Sequence, residues 1–299
     1  MKTANERLMI VRLKLKQWHP RKFDRKASDE LAALHGAAAA DDIGRFNKIL
    51  IDMKSIKPLQ KAIRELRDHH YQMTAPWSDD GQRVLPAELY FDYCEMLRVR
   101  SADIEALADQ FVDVEYADQR TKAAARLNGL FNADDYPDPD TLREKFSVAY
   151  RFEPLPNPED TRVWGISDEA ANEIADDLKA SMTLATDAAH ADVVERVYTR
   201  ATEFVQKVRR FHQGELDDKA RNSLYETAVT NLQDIVELVL KGLNVNGDQE
   251  LTKMAASLAA DIEGLNTTDL KQDSALRIEK TAEIEDRLSQ FSGVFGGMA

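Results

Sequence analysis

Residue types that staple or punctuate a chain are scarce in this one. A single cysteine, Cys94, stands among 299 residues. That excludes an intrachain disulfide framework and a thiolate metal cluster, and it suits a reducing compartment. Nine prolines and twelve glycines are few for this length, and no proline follows Pro158; so long a stretch without one favours helix. Apolar runs are short as well. Nothing approaches the roughly 20 residues of a membrane span, and the N-terminal "MKTANERLMIVRLKLK" lacks the apolar core of a signal peptide. A soluble protein with no membrane partner is expected.

Motifs that carry chemistry are missing too. Neither GxxxxGK[ST] nor GxGxxG occurs, so both common nucleotide folds lack their glycines, and there is no GxSxG elbow. Cys94 falls in a helical pattern among Tyr90, Phe91, Tyr93, Met96 and Leu97, an apolar setting that suits a packed thiol better than a nucleophile. The six histidines form no HExxH and no i, i+4 pair. The adjacent His69 and His70 would point about 100° apart on a helix and cannot share a zinc ion as one face. The carboxylate pairs Asp79–Asp80 and Asp134–Asp135 lie in loops. A two-metal nuclease needs such groups converging on ions about 4 Å apart, while aspartates in turns mostly serve as caps, so a metal-dependent nuclease is the weakest alternative. No catalytic residue, metal ligand or cofactor is assigned.

What the chain has in plenty is charge, and it is segregated. The net charge is −13, yet residues 7–26 hold eight Lys or Arg against one Asp. The fold class predicted is mainly α: an α+β domain over 1–166 with a short sheet, then a helical bundle over 167–299. Apolar and basic residues alternate from Val11 to Leu15, the period of a half-buried strand. Two or three short helices follow between Ser28 and Met73, with Ser28 as a cap and a break at Pro58. Residues 74–90 contain Pro76, Gly81 and Pro86 and read as a loop into a helix. A further helix is expected from a Ser101 cap to Asn128–Gly129, then a short one capped by Asp138, then strands at 147–152 and 161–164 that join the first.

The C-terminal part reads as helix throughout. Residues 168–213, closed by Gly214, carry a heptad seam of Val194, Val197, Ala201, Phe204, Val208 and Phe211. A helix over 217–241 repeats it with Tyr225, Val229, Leu232, Val236, Val239 and Leu243, so the two predict an antiparallel hairpin. The seams serve either as bundle core or as a route to a homo-oligomer. Whether 168–213 is continuous through "TLATDAAHAD" is open. A third helix spans 249–263. The last, 269–291, is mostly charged and is expected on the outside or against another subunit, ahead of a tail anchored by Val294 and Phe295.

The candidate site is the basic stretch 17–30, "QWHPRKFDRKASDE". Arg21, Lys22, Arg25 and Lys26 offer contacts to phosphate, and Trp18 and Phe23 offer flat faces for bases. The alternative is an electrostatic clasp to acidic parts of the same chain or of a neighbouring subunit, with Trp18 and Phe23 in the core.

"QWHPRKFDRK", "GRFNK" at 44–48, "PWSDDGQRVLP" at 76–86, "RLNGLF" at 126–131, "DYPDPDTLREKFS" at 135–147 and "FEPLPNPEDTRV" at 152–163 together resemble an uncharacterised family of tailed-bacteriophage proteins of about 300 residues. The resemblance covers nearly the whole chain and carries no known chemistry. It implies the cytoplasm of an infected bacterium, and it adds Trp77, Gly81 and Arg83 as binding candidates in a loop. The function expected is that of a non-catalytic, self-assembling phage protein that binds nucleic acid, with DNA as the candidate partner, during replication or recombination. The alternative is a factor that engages a host or phage protein through its acidic helices.

Overall fold

The computed structural model describes residues 7–78, 80–158, 167–212 and 218–292. The strand expected at 161–164, the turn at Gly214, and Val294 and Phe295 lie outside the described residues, as does Asp79. The elements in chain order are β1 (Leu8–Lys16), β2 (Arg21–Phe23), α1 (Arg25–His35), α2 (Ala40–Ile43), β3 (Asn47–Ile49), α3 (Met53–Met73), β4 (Ala75–Pro76) and β5 (Arg83–Pro86). There follow α4 (Tyr90–Asp109), a wider π turn (Gln110–Glu115), α5 (Tyr116–Leu127), α6 (Pro139–Glu144), β6 (Ser147–Pro154), α7 (Asp168–His212) and α8 (Asp218–Leu238). A second π turn (Val239–Leu243), α9 (Gln249–Ile262), α10 (Thr267–Gln272) and α11 (Ser274–Ser292) complete them. The protein is mainly α, with a small sheet in its N-terminal half and a long helical C-terminal half.

A single cut near residue 166 does not describe its packing. The chain forms two compact units, each assembled from separate segments: 1–12, 71–93 and 151–299 in the first, 13–70 and 94–150 in the second. The divisions fall inside β1, α3, α4 and β6. Elements that run on from one unit into the next leave no linker for a sequence pattern to mark.

In the first unit the sheet order is β4-β5-β1-β6. Leu8 pairs with Pro86 and Val11 with Arg83, antiparallel, and Ala75 of β4 pairs with Val84. Along β1, Leu8, Ile10 and Val11 are buried while Arg12, Lys14 and Lys16 are exposed, the alternation its sequence predicts. Residues 74–90 were expected as a loop leading into a helix near Pro86; a helical turn does start there, at Ala87–Leu89 ahead of α4, but the expected loop supplies a hairpin whose second strand lies inside the sheet. The turn closes on Gly81, at φ 84°, with its amide donating to the Ser78 carbonyl at 3.2 Å.

The long helices of this unit pack together, and most of the predicted seam residues whose burial is described are buried. α7 is one continuous helix of 45 residues, about 67 Å long at 1.5 Å per residue, and it packs on α8 and α11. Val194, Val197, Ala201, Phe204 and Val208 on α7 meet a partner face that includes Val229, Leu232 and Val236, all buried. Only five residues join α7 to α8, so the pair is antiparallel. α9 packs on α8 and α11 through Leu251, Met254, Leu258 and Ile262. The single helix expected over 269–291, outside or against another subunit, is corrected: it is split into α10 and α11, and α11 packs on α7 and α9 with Thr281 and Ile284 buried, charge on its remaining faces having obscured so narrow an apolar stripe. At Gly242, φ is 142° and an added Cβ would come within 2.9 Å of Glu88 Cβ, so glycine there permits both the chain reversal and the close approach.

The second unit surrounds an aromatic core. Trp18 lies edge-on to Tyr116 at 5.9 Å, and Phe111 packs against Trp18, Tyr116 and Phe146. On α3, Ile56, Leu59, Ile63 and Leu66 are buried at heptad-like spacing. Pro58 does not break this helix. It removes one backbone donor, but Pro58 and Lys54, the residue whose carbonyl loses that partner, both face solvent. Ser101 caps nothing: α4 runs straight through it. The short helix α6 does begin as read, with Asp138 accepting from the Thr141 amide and Pro139 at its first position.

Candidate nucleic-acid interface

The basic stretch leaves β1 through Pro20 and enters β2, which pairs antiparallel with β3: Arg21 opposite Ile49, Lys22 opposite Lys48, Phe23 opposite Asn47. Arg21, Lys22 and Phe23 are all exposed. Alternation along a strand sends Arg21 and Phe23 to one face and Lys22 to the other. The Arg45 guanidinium lies over the Phe23 ring, 5.7 Å from its centre, and the neighbouring residue in sequence, Phe46, is also exposed.

Asp24, the carboxylate inside the basic run, is turned inward. It caps α1, accepting from the Ala27 amide at 3.1 Å, so the cap expected at Ser28 belongs four residues earlier. Ser28 is buried instead; its hydroxyl donates to the Asp24 carbonyl at 2.8 Å and accepts from the Phe46 amide at 3.1 Å, which ties α1 to the segment entering β3. Lys48 is only 6% exposed. Its ammonium lies 2.6 Å from Asp135 and 2.9 Å from Asp24 in ion pairs, and it donates to the Leu130 carbonyl at 3.0 Å. Burial alone would lower the Lys48 pKa, but the Asp135 and Asp24 carboxylates reverse that and hold it above the ordinary range. The Ala27 amide, and after it Lys48, hold the Asp24 carboxyl below the usual carboxylate range. This cluster fixes the ribbon to the chain that follows α5, together with the Tyr136 hydroxyl, which donates to the Leu50 carbonyl at 2.7 Å.

With Asp24 taken inward, the outer surface keeps its cations. Arg21, Lys22 and Arg45 lie within 4 Å of no carboxylate among the described residues, the exposed Asp41 and Asp42 included. Arg25 and Lys26 reach Asp29 at 4.0 Å and Glu30 at 3.8 Å one helical turn on, loose pairs between side chains that are mostly exposed. Trp18 takes its core alternative: at 8% exposure within the aromatic cluster it has no free face for a base.

The loop candidates belong to the other unit and do structural work. Trp77 is half-buried, its amide donating to the Gln82 carbonyl at 3.0 Å across the turn that Gly81 closes. Arg83 donates to the Thr74 hydroxyl at 2.7 Å and to the Thr74 carbonyl at 2.8 Å, with Tyr71 stacked on its guanidinium at 4.7 Å. Arg196 reaches the same helix end, donating to the carbonyls of Tyr71 at 2.8 Å and Thr74 at 2.8 Å, and it pairs with Asp192. Burial first, and then the positive charge of Arg196, push the Arg83 pKa down to about 10. Two guanidiniums so close, bound to the last carbonyls of α3, stabilise the negative end of its dipole.

Of the carboxylates that a nuclease would need, two are held by other side chains. Asp135 faces Lys48, and Asp80 accepts from the Ser78 hydroxyl and from Gln82 within its own turn. Asp134 sits in a short turn where its amide donates to Asn132. Among the described residues no group of three or more His, Cys, Asp or Glu could hold a metal ion, and no helix is long and apolar enough to cross a membrane. Comparison of the chain with protein-family models, with curated proteins and with solved structures finds no match.

Sequence reasoning missed Arg45 and Lys48 as participants. Both stand in "GRFNK", but nothing in a single sequence distinguishes the outward cation over Phe23 from the one buried between two aspartates.

Proposed function

We propose that the β2–β3 ribbon binds nucleic acid without catalysing its cleavage, during phage replication or recombination. One observation carries the reading: the ribbon's carboxylate is turned inward, while Arg21 and Arg45 stay outside on the face of the exposed Phe23 ring and Lys22 stays exposed on the other face, none of the three in an ion pair among the described residues. Cations of this kind release counterions from a phosphate backbone, and an exposed aromatic offers a stacking platform to any unpaired base. Arg25 and Lys26 form the rim. Fluorescence anisotropy with labelled single- and double-stranded DNA, at about 50 and 200 mM salt, tests it. Binding that weakens steeply with salt and disappears in R21E/K22E is expected; no binding to either DNA at low salt overturns the proposal.

A second reading, engagement of a protein partner, has its own support. Residues 168–188 of α7 include no buried residue, and they carry six acidic side chains against one lysine. The self-assembly expected through the heptad seams would need another surface, because those seams are already filled by the chain's own helices. This acidic half-helix suits a basic partner face. D176K/D177K would then abolish capture of the partner from infected cells and leave DNA binding unchanged; capture that survives it removes this reading.

A further inference from the structure

The end of β1 borders an open groove of about 790 Å³, lined in part by Lys16, Trp18, His19, Arg67, Glu144 and Lys145. Three of these are cations and one is a carboxylate, and none of the four lies in an ion pair among the described residues. From this geometry we infer that the groove seats the phosphodiester backbone of a single strand, so that the protein prefers single-stranded nucleic acid to duplex. This rests on the nucleic-acid reading of the ribbon and specifies the substrate of that surface.

Three features support it. The volume lies within the range of pockets that enclose a ligand of a few hundred daltons, a concave seat into which a flexible single backbone can bend and the convex, stiff surface of a duplex cannot. The groove also lies near the ribbon along the chain: Arg21 comes five positions after Lys16, at most about 17 Å of extended chain, so one short strand can meet both. Finally, Phe23 under Arg45 can stack only on a base that is not already paired and stacked in a helix. Trp18 forms part of the groove wall, while its ring stays in the aromatic core.

Lys16 and Lys145 are exposed and hold no structural contact that a substitution would break. Anisotropy titrations over a salt series, with an oligothymidylate and a duplex of equal length, compare the unaltered protein with K16A/K145A and R21E/K22E. The unaltered protein is expected to bind the single strand at least tenfold more tightly. K16A/K145A should weaken single-strand binding and reduce the slope of log K against log salt by about 1.4, some 0.7 for each phosphate no longer neutralised, with duplex binding unchanged; R21E/K22E should weaken both. Equal affinity for the two DNA forms overturns the inference. So does a K16A/K145A variant that keeps the original single-strand affinity and slope while R21E/K22E abolishes binding, a result that leaves the ribbon reading intact. Absence of binding by the unaltered protein removes both.

Discussion

Each unit draws one basic side chain away from solvent, and the two are held in opposite ways. Lys48, in the second unit, is neutralised by two carboxylates, Asp24 and Asp135, plus one carbonyl. Arg83, in the first, has backbone carbonyl and hydroxyl partners at the end of α3 and a second guanidinium, Arg196, beside it. The pKa shifts follow the partners. Lys48 goes up because full charges oppose it, whereas Arg83 goes down because dipoles do not fully offset burial and a like charge. A carboxylate-held cation is thus a tighter fastening than a dipole-held one, and the second unit uses its fastening to keep Asp24 off the ribbon's outer surface.

Removing the first fastening should have the largest effect. Lys48→Met keeps the stem and deletes the charge, leaving Asp24 and Asp135 facing each other and the Leu130 carbonyl without its donor. A loss of about 3 kcal/mol is expected, read as a lower urea midpoint, and DNA affinity should fall with it because the ribbon is no longer anchored. Arg196→Ala should cost less, about 1–3 kcal/mol, since Arg83 still covers the Thr74 carbonyl. If the two variants lose equal stability, the greater weight given to the Lys48 cluster is wrong.

The same contrast has a pH signature. Asp24 is depressed below its ordinary 3.8, so its contribution is fully present above that value and is lost as pH falls through the lower folded value. Lys48 is raised above 10.5, so its contribution is present below that value and is lost as pH rises through the higher folded value. The stability gap between the unaltered protein and Lys48→Met should therefore be widest near neutrality and narrow at both extremes. Urea midpoints at about pH 3, 7 and 11 check this; a gap that persists at both ends would assign the loss to packing.

How legible all this was depends on how local the signal is. β1 was readable because Val11 to Leu15 alternate, and the seams of α7 and α8 because a heptad repeats over several turns. β5 was not, since four residues ending in Pro86 beside a Gly81 turn have the composition of a loop and become a strand only through β1 on one side and β4 on the other. The cap of α1 was misread because Asp24 and Ser28 are equally good cap types, and the burial of Ser28 that separates them depends on Phe46, 18 residues away. In the candidate site, Arg21, Lys22 and Phe23 could be named from composition. The inward turn of Asp24, which makes their charge available, depends on Lys48 and Asp135, and that contact spans too much chain for any local pattern to report.

The smallest effect on stability is expected where cations are paired only at the surface. Lys26 lies 3.8 Å from Glu30 and Arg25 lies 4.0 Å from Asp29, with about nine-tenths of each basic side chain in solvent. Such i, i+4 pairs contribute a few tenths of a kcal/mol, and both cations sit in the first turn of α1, where the helix dipole opposes positive charge. The two effects nearly cancel, so R25A/K26A should shift stability by less than about 0.5 kcal/mol. Its DNA affinity should nonetheless fall a few-fold, less than that of R21E/K22E, because a phosphate competes easily with carboxylates held so loosely. An affinity equal to that of the unaltered protein would confine the contact surface to the ribbon and exclude the first turn of α1.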